Sequence, residues 1–252
     1  MNTAKVRILS LPILFLIFFL AGCTSLPQDS PGQIAAYRSE VESATRILLE
    51  RSIQGASEKL RSTPSPPRSY LPPEISTLFT SYSDMPGLSS RISQWEERMS
   101  GIIPDSAVSM PALAQDIINR LKLEDTVDPA SLSRGSLTAT SLIASELDQI
   151  LFPIIRQRSL LAFESPSTDG VPARQLWQGI KESYRIWSEA WNRLNPETSF
   201  PSWTMTDEEM ITLFARAVTD DFLFKLAAEE NTIRSTPIPQ DNDPVAVIFQ
   251  TL

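Results

Sequence analysis

The chain has 252 residues, of which 42% are hydrophobic, and it contains one cysteine and no histidine. The lack of histidine excludes Ser-His-Asp triads, histidine general bases and nearly every zinc, copper or non-haem iron site, while the eight glycines are too widely spaced for a phosphate-binding loop. A formal net charge of −8 at pH 7 disfavours nucleic acid as a partner, because phosphate backbones would repel the chain.

The N-terminus predicts an export signal. Lys5 and Arg7 precede an apolar run over residues 8–20, which is too short to span a bilayer comfortably. The run ends in "LAGC" at residues 20–23, which resembles the bacterial lipobox. The resemblance implies that residues 1–22 form a removed signal peptide and that Cys23 carries a diacylglycerol thioether and an N-acyl chain, with no other cofactor. The alternative is a lone buried cysteine in a membrane anchor or core.

The predicted lipid would be the membrane attachment of the mature chain. Loss of Lys5 and Arg7 changes the formal charge from −8 to −10 (−8 − 2). Anionic lipid headgroups would repel a chain with this charge. Thr24 follows the cysteine where enterobacterial inner-membrane lipoproteins often carry aspartate, so the resemblance favours the outer membrane and a periplasm-facing domain. Residues 23–33 are predicted to be a lipidated tether and residues 34–252 a helical periplasmic domain.

Apolar residues at steps of three and four predict most of the helices. Ser30 is the expected N-cap of a first helix that ends near Leu60, and its apolar stripe is Ile34, Tyr37, Val41, Ala44 and Leu48. A proline-rich connection over 62–73 follows, then three helices whose apolar stripes lie within residues 75–82, 88–99 and 113–121. Asp128-Pro129 is predicted to begin a connecting turn.

The second half of the chain has longer apolar patterns. The series over 142–154 continues through Pro153, which is expected to kink that helix or divide it in two. After a loop over 164–172, residues 176–194 form the clearest amphipathic helix, and Thr206 with Glu209 predicts a capping box for the last long helix. "PVAVIF" at 244–249 is the only strand candidate. The predicted class is therefore all-α, a single irregular bundle of about six to eight helices.

The last long helix carries a resemblance to a known family. The segment "VTDDFLFKLAAEENTIRSTP" at 218–237 is similar to the C-terminal signature of a bacterial exported family catalogued as domain of unknown function 4197. The matching positions are Asp220, Leu223, Glu229, Glu230, Ile233, Arg234 and Pro237, while Asp221 stands in place of the family's glycine and Asn231 falls in its acidic stretch. The resemblance implies export and a helical fold, and it implies no activity.

Two groups of residues are candidate sites. Asp220, Glu229, Glu230 and Arg234 are a possible polar or ligand site, although the four-residue spacing from Glu230 to Arg234 favours an ordinary solvated pair. On that interpretation Glu230→Gln should cost well under about 1 kcal/mol. Trp177, Tyr184, Trp187 and Trp191 are possible contacts for an apolar ligand or glycan ring, although their spacing is also typical of a bundle core.

The sequence therefore favours a lipid-anchored envelope protein that binds or scaffolds an unknown envelope protein or apolar ligand, without catalysis and without a metal. One alternative is a carrier of a lipid or other apolar ligand, which a pocket with exposed Trp177 or Trp191 would favour. The other is a carboxylate-based hydrolase, which would need three acids from different helices within about 5 Å of one another.

Overall fold

The structure is a computed structural model that describes residues 31–71, 73, 75–76, 87–124, 127–135, 137–166, 170–236 and 243–250. Within these ranges the protein is all-α, which confirms the predicted class. The described residues form eight α-helices and two 3₁₀ turns. Their only β-type pairing is an isolated bridge between Pro166 and Pro172, which closes the loop predicted there.

The helices follow one another with short connections. In chain order they are α1 (Pro31–Ser62), α2 (Leu88–Ser100), α3 (Ile102–Arg120), α4 (Pro129–Ser133), α5 (Ala139–Glu164), α6 (Ala173–Leu194), α7 (Asp207–Ser235) and α8 (Pro244–Phe249). The 3₁₀ turns are Pro67–Tyr70 and Pro196–Thr198.

The core is one continuous cluster around α1, which packs against α3, α7 and α8. Helix α5 fills the space between α3 and α7, and α2 pairs with α6. The largest fully buried side chains include Trp95, Trp177, Phe163, Phe214 and Phe222, and they come from α2, α5, α6 and α7. Several aromatic anchors on different helices therefore hold the bundle together.

The start of α1 extends beyond the core. Val41, Ala44 and Leu48 are fully buried as predicted, but Ile34 and Tyr37 are 54% and 40% exposed. At this end of α1 the neighbouring segment is the loop after α3, in which two backbone carbonyls accept hydrogen bonds from Arg38. A loop contact covers less of a helix than a packed helix does, so the first turns of α1 remain solvated.

Two predictions about the helices need correction for local reasons. Pro153 does not divide α5, which is one continuous helix, because Pro153 lies on the exposed face, where water can satisfy the carbonyl that the proline leaves unpaired. The alternative, that Pro153 kinks the helix, stays a prediction. The two Asp-Pro pairs both begin short helices, because Asp128 accepts from the Ala130 N–H and Asp243 accepts from the Val245 N–H while the proline occupies the first helical position. "PVAVIF" is therefore helix α8.

The capping box of α7 is confirmed. The Thr206 hydroxyl accepts a hydrogen bond from the Glu209 N–H at 3.2 Å, and the Glu209 carboxylate accepts one from the Thr206 N–H at 2.8 Å. The backbone and hydroxyl hydrogen bonds from Thr206 lower the pKa of Glu209. The local signal in this stretch is thus sufficient to fix where α7 begins.

Other predictions fall on residues outside the described part of the chain. These are the signal peptide over 1–22, the lipidation of Cys23, the N-cap Ser30 and most of the short helix over 75–82. Among the residues that are described, none of the helices is both long enough and apolar enough to cross a bilayer.

Candidate functional site

Glu230 caps the start of a neighbouring helix. It is 1% exposed, and its carboxylate accepts hydrogen bonds from the backbone N–H groups of Ala139 and Thr140 and from the Thr140 hydroxyl, each at 2.7 Å. These are the first residues of α5, whose N–H groups have no partner within their own helix. The carboxylate satisfies them and lies at the positive end of the α5 dipole.

Arg234 completes this arrangement from the next turn of α7. Its Nε donates to Glu230 Oε1 at 2.9 Å, its Nη2 lies 2.7 Å from the same oxygen in an ion pair, and its Nη1 donates to the Leu132 carbonyl at 2.7 Å. Its carbon Cζ lies 4.4 Å from the centre of the Phe249 ring. One arginine thus connects α7 with α4 and α8.

Glu229 faces the opposite neighbour, α1. It is 9% exposed and forms an ion pair with Lys59. A Cβ atom on Gly55 would lie 2.7 Å from Glu229 Oε2, so a side chain at position 55 would require the Glu229 carboxylate to move. We call Glu229, Glu230 and Arg234 the carboxylate latch.

The carboxylate latch is therefore a structural element. The interpretation of Glu230 and Arg234 as a solvated surface pair is wrong, because Glu230 is buried and bonded to a helix 90 residues away in the chain. Asp220, the fourth residue of the predicted polar site, is exposed and does not join the latch. Both oxygens of Glu230 already accept hydrogen bonds, which leaves the carboxylate engaged in holding the fold.

Asp243 forms a second buried carboxylate contact nearby, between α8 and α1. It accepts a hydrogen bond from Arg51 at 2.7 Å and one from the Val245 N–H at 2.9 Å. Burial alone would raise the pKa of Asp243, but the hydrogen bonds from Arg51 and the backbone outweigh burial and hold the pKa below its ordinary value.

Acid is therefore expected to weaken the attachment of α8. A pKa that is lower in the folded protein means that the Asp243 carboxylate stabilises the fold above its unfolded pKa of about 3.9, and that this contribution is lost as the pH falls through the folded pKa. Urea unfolding at about pH 7 and about pH 3 should show a smaller acid loss for Asp243→Asn than for the wild type. The exposed Asp220→Asn is the control. Equal losses for Asp243→Asn and wild type would contradict the assignment.

All five tryptophans of the chain belong to one aromatic cluster. Trp95 of α2 lies 5.4 Å from Trp177 of α6, and Trp177 lies 5.2 Å from Trp203, measured between ring centres. The contacts continue through Tyr184, Trp187, Phe200 and Trp191. The cluster therefore runs from the core of the bundle to its surface.

The four aromatic residues of α6 that were predicted as ligand contacts differ in their exposure to solvent. Trp177 is fully buried and Tyr184 is 3% exposed, so both are core residues. Trp187 is half-buried, and Trp191 is 37% exposed. Only the second half of the stripe is open to a ligand or partner. Beyond it, Leu194 is 80% exposed at the end of the helix.

A segment between α6 and α7 lies along the outer half of α6, and we call residues 195–205 the strap. Side chains of α6 bind its backbone: Trp191 donates to the Thr198 carbonyl at 3.1 Å, and Tyr184 donates to the Pro201 carbonyl at 2.7 Å. Asn192 both donates to the carbonyl of Phe200 and accepts from its N–H. The strap is thus held in one conformation by α6.

Three cavities adjoin the strap. Their volumes are about 450, 440 and 300 Å³, and each is lined partly by residues between 200 and 205. These sizes lie within the range of small-molecule sites. A cavity lined by Trp177 or Trp191 would have favoured a carrier of apolar ligands. Neither tryptophan lines any of the three cavities.

The carboxylate latch and the strap lie at opposite ends of α7. The strap leads into the first residue of α7, and the latch occupies its last two turns, so the 29 residues of α7 separate them by about 40 Å. The start of α1 lies at the latch end, because Tyr37 donates to Ser133 of α4 and Arg234 donates to the neighbouring Leu132 carbonyl. The start of α1 and the strap therefore lie near opposite ends of α7.

Sequence reasoning missed Trp95, Phe200 and Trp203 as members of the candidate site. Phe200 and Trp203 lie in a segment without helical periodicity, which gave no reason to join them to α6. The available signal was compositional: four of the five tryptophans fall within residues 177–203. Such a concentration indicates one shared aromatic cluster.

No group of three acidic, histidine or cysteine residues suitable for a metal ion is present in the part of the chain that the structure describes. Comparisons with protein-family models, with curated proteins and with solved structures found no match to this chain. The resemblance of residues 218–237 to the exported family therefore stays a prediction.

Proposed function

We propose that this chain is a lipid-anchored lipoprotein of the cell envelope, whose helical domain binds or scaffolds an envelope component without catalysis. The observation that supports a binding role is the strap, where an aromatic cluster reaches the surface beside three cavities. The strap is held by five side-chain-to-backbone hydrogen bonds from α6. A surface that is already ordered loses little conformational entropy when it binds.

The proposal for the anchor is supported by the sequence. The basic residues, the short apolar run and the "LAGC" ending occur in the order that is typical of a lipoprotein signal peptide. A lipid on Cys23 would attach the domain through the start of α1, which is the end opposite the strap. The strap would then be directed away from the membrane, toward the envelope space or the partner within it.

Lipidation is expected to depend on Cys23 alone. Metabolic labelling with a clickable fatty acid should mark the wild type and a Ser25→Ala control, and both should sediment with membranes. Cys23→Ser should be unlabelled, because it lacks the sulfur that forms the thioether. Labelling and processing of Cys23→Ser as in the wild type would show that the anchor is wrongly assigned.

The binding end can be tested with a photocrosslinking amino acid in the cell. The photoreactive residue is placed at Leu194, which is 80% exposed beside the strap, or at Val247, which is 51% exposed on α8 at the other end. We expect crosslinked adducts from position 194 and not from position 247. Adducts from 247 alone, or from neither position, would contradict binding at the strap.

A further inference from the structure

One of the three cavities is lined by a distinctive set of charged, polar and aromatic residues. It is a groove of about 440 Å³ between the outer face of α6 and residues 200–203 of the strap. Hydrogen bonds between α6 and the strap hold the two walls of the groove together, so the fold sets its shape. The lining residues therefore limit the chemistry of an occupant.

The charges that line the groove cancel. Lys181 and Arg185 contribute two positive charges, and Glu182 and Glu189 contribute two negative charges. Arg185 donates to both oxygens of Glu182, at 2.8 and 2.6 Å, and to one oxygen of Glu189 at 2.8 Å. The second Glu189 oxygen accepts no hydrogen bond from the described residues, so it can accept one from a ligand. The groove thus attracts no particular sign of charge.

The rest of the lining combines neutral polar groups with aromatic rings. Gln178 and Ser202 are exposed and offer an amide and a hydroxyl, which both donate and accept. Phe200 and Trp203 supply aromatic surface from the strap side. A ligand that matches this lining carries many hydroxyl or amide groups and also has apolar ring faces.

We infer that this groove binds a neutral saccharide chain. Sugar rings present hydroxyls at their edges and C–H groups on their faces, which matches polar side chains on α6 and aromatic rings on the strap. An apolar ligand would remove four charged side chains from water without hydrogen-bonding them, which is costly. A strongly charged ligand would find no net opposite charge. This inference rests on the proposed function, and it names the class of ligand that the strap end takes.

The test uses calorimetric titration of the full chain, purified in a detergent without a sugar headgroup. The probes are chitotetraose, cellotetraose and maltotetraose, each up to about 10 mM. Ser202→Arg places a long charged side chain in the groove, and Ser199→Arg places the same side chain on an exposed strap position outside the groove lining. We expect at least one saccharide to bind, with affinity at least about tenfold weaker for Ser202→Arg and unchanged for Ser199→Arg. Equal melting temperatures will show that both variants are folded.

Two results would overturn the inference. One is the absence of heat from all three saccharides with the folded wild type. The other is an equal loss of saccharide affinity in both arginine variants. That result would mean that the saccharide binds outside the groove, or that any added positive charge on the strap weakens binding. Crosslinked adducts from Leu194 together with no saccharide binding would retain the proposed function and reject the saccharide, in favour of a protein partner.

Discussion

Glu230→Ala is expected to lower the free energy of unfolding by about 3 to 5 kcal/mol, as the removal of one partner from a buried ion pair does. The substitution removes the acceptor for two backbone N–H groups at the start of α5 and leaves Arg234, whose side chain is 11% exposed, without its carboxylate. Both losses leave buried polar groups unsatisfied. Glu230→Gln should cost about 2 kcal/mol, because its amide NH₂ cannot accept the hydrogen bonds that the second oxygen accepts. Urea unfolding followed by circular dichroism measures both values.

Glu208→Ala is the matched control for this prediction. Glu208 also lies on α7 and forms an ion pair, with Arg156, but its side chain is 64% exposed. Water replaces the lost partner at an exposed site, so the control should cost less than about 1 kcal/mol. If Glu230→Ala cost no more than Glu208→Ala, the carboxylate latch would contribute nothing to stability, and its buried hydrogen bonds would need another explanation.

Phe222→Ala is expected to cost about 3 to 5 kcal/mol, because it leaves a cavity in the packed core between helices. Phe222 is fully buried, and its helix α7 packs against α1 and α5. The surrounding helices are held by several other contacts, so they can close only part of the space. Thermal and urea unfolding of the variant should both show the loss.

The chain provides a control two residues away. Phe224 belongs to the same helix and has the same side chain, but it is 73% exposed. Phe224→Ala should change the free energy of unfolding by about 0.5 kcal/mol or less, as surface substitutions do. A similar cost for the two variants would mean that Phe224 is covered in solution, for example by a partner or a second copy.

Periodicity in the sequence was sufficient for α1, α6 and α7, but it did not predict residues 102–112 of α3 and was insufficient for the short helices. Helices α1, α6 and α7 each have an apolar stripe over several turns, and their positions agree with the prediction to within a few residues. Helices α4 and α8 are five and six residues long, too short for a stripe. Their signal was the Asp-Pro pair, which looks like a turn unless the aspartate is recognised as an N-cap.

The candidate sites depended on contacts that are distant in the sequence. The spacing of Glu230 and Arg234 correctly predicted an ion pair, but nothing near α7 in the sequence indicates that the start of α5 lies against it. The strap has no periodicity of its own, and its conformation is set by side chains of α6. In both cases the role of the residues depends on tertiary packing, which the local sequence pattern does not contain.

The placement of every tryptophan in one cluster has a spectroscopic consequence. Indole fluorescence from this protein reports on α2, α6 and the strap, whereas far-ultraviolet circular dichroism reports on all helices. The two unfolding curves coincide only if the bundle unfolds in one cooperative step. Because the latch lies about 40 Å from the strap, a latch variant that frays its own end early would separate the curves, with ellipticity falling before the emission shifts.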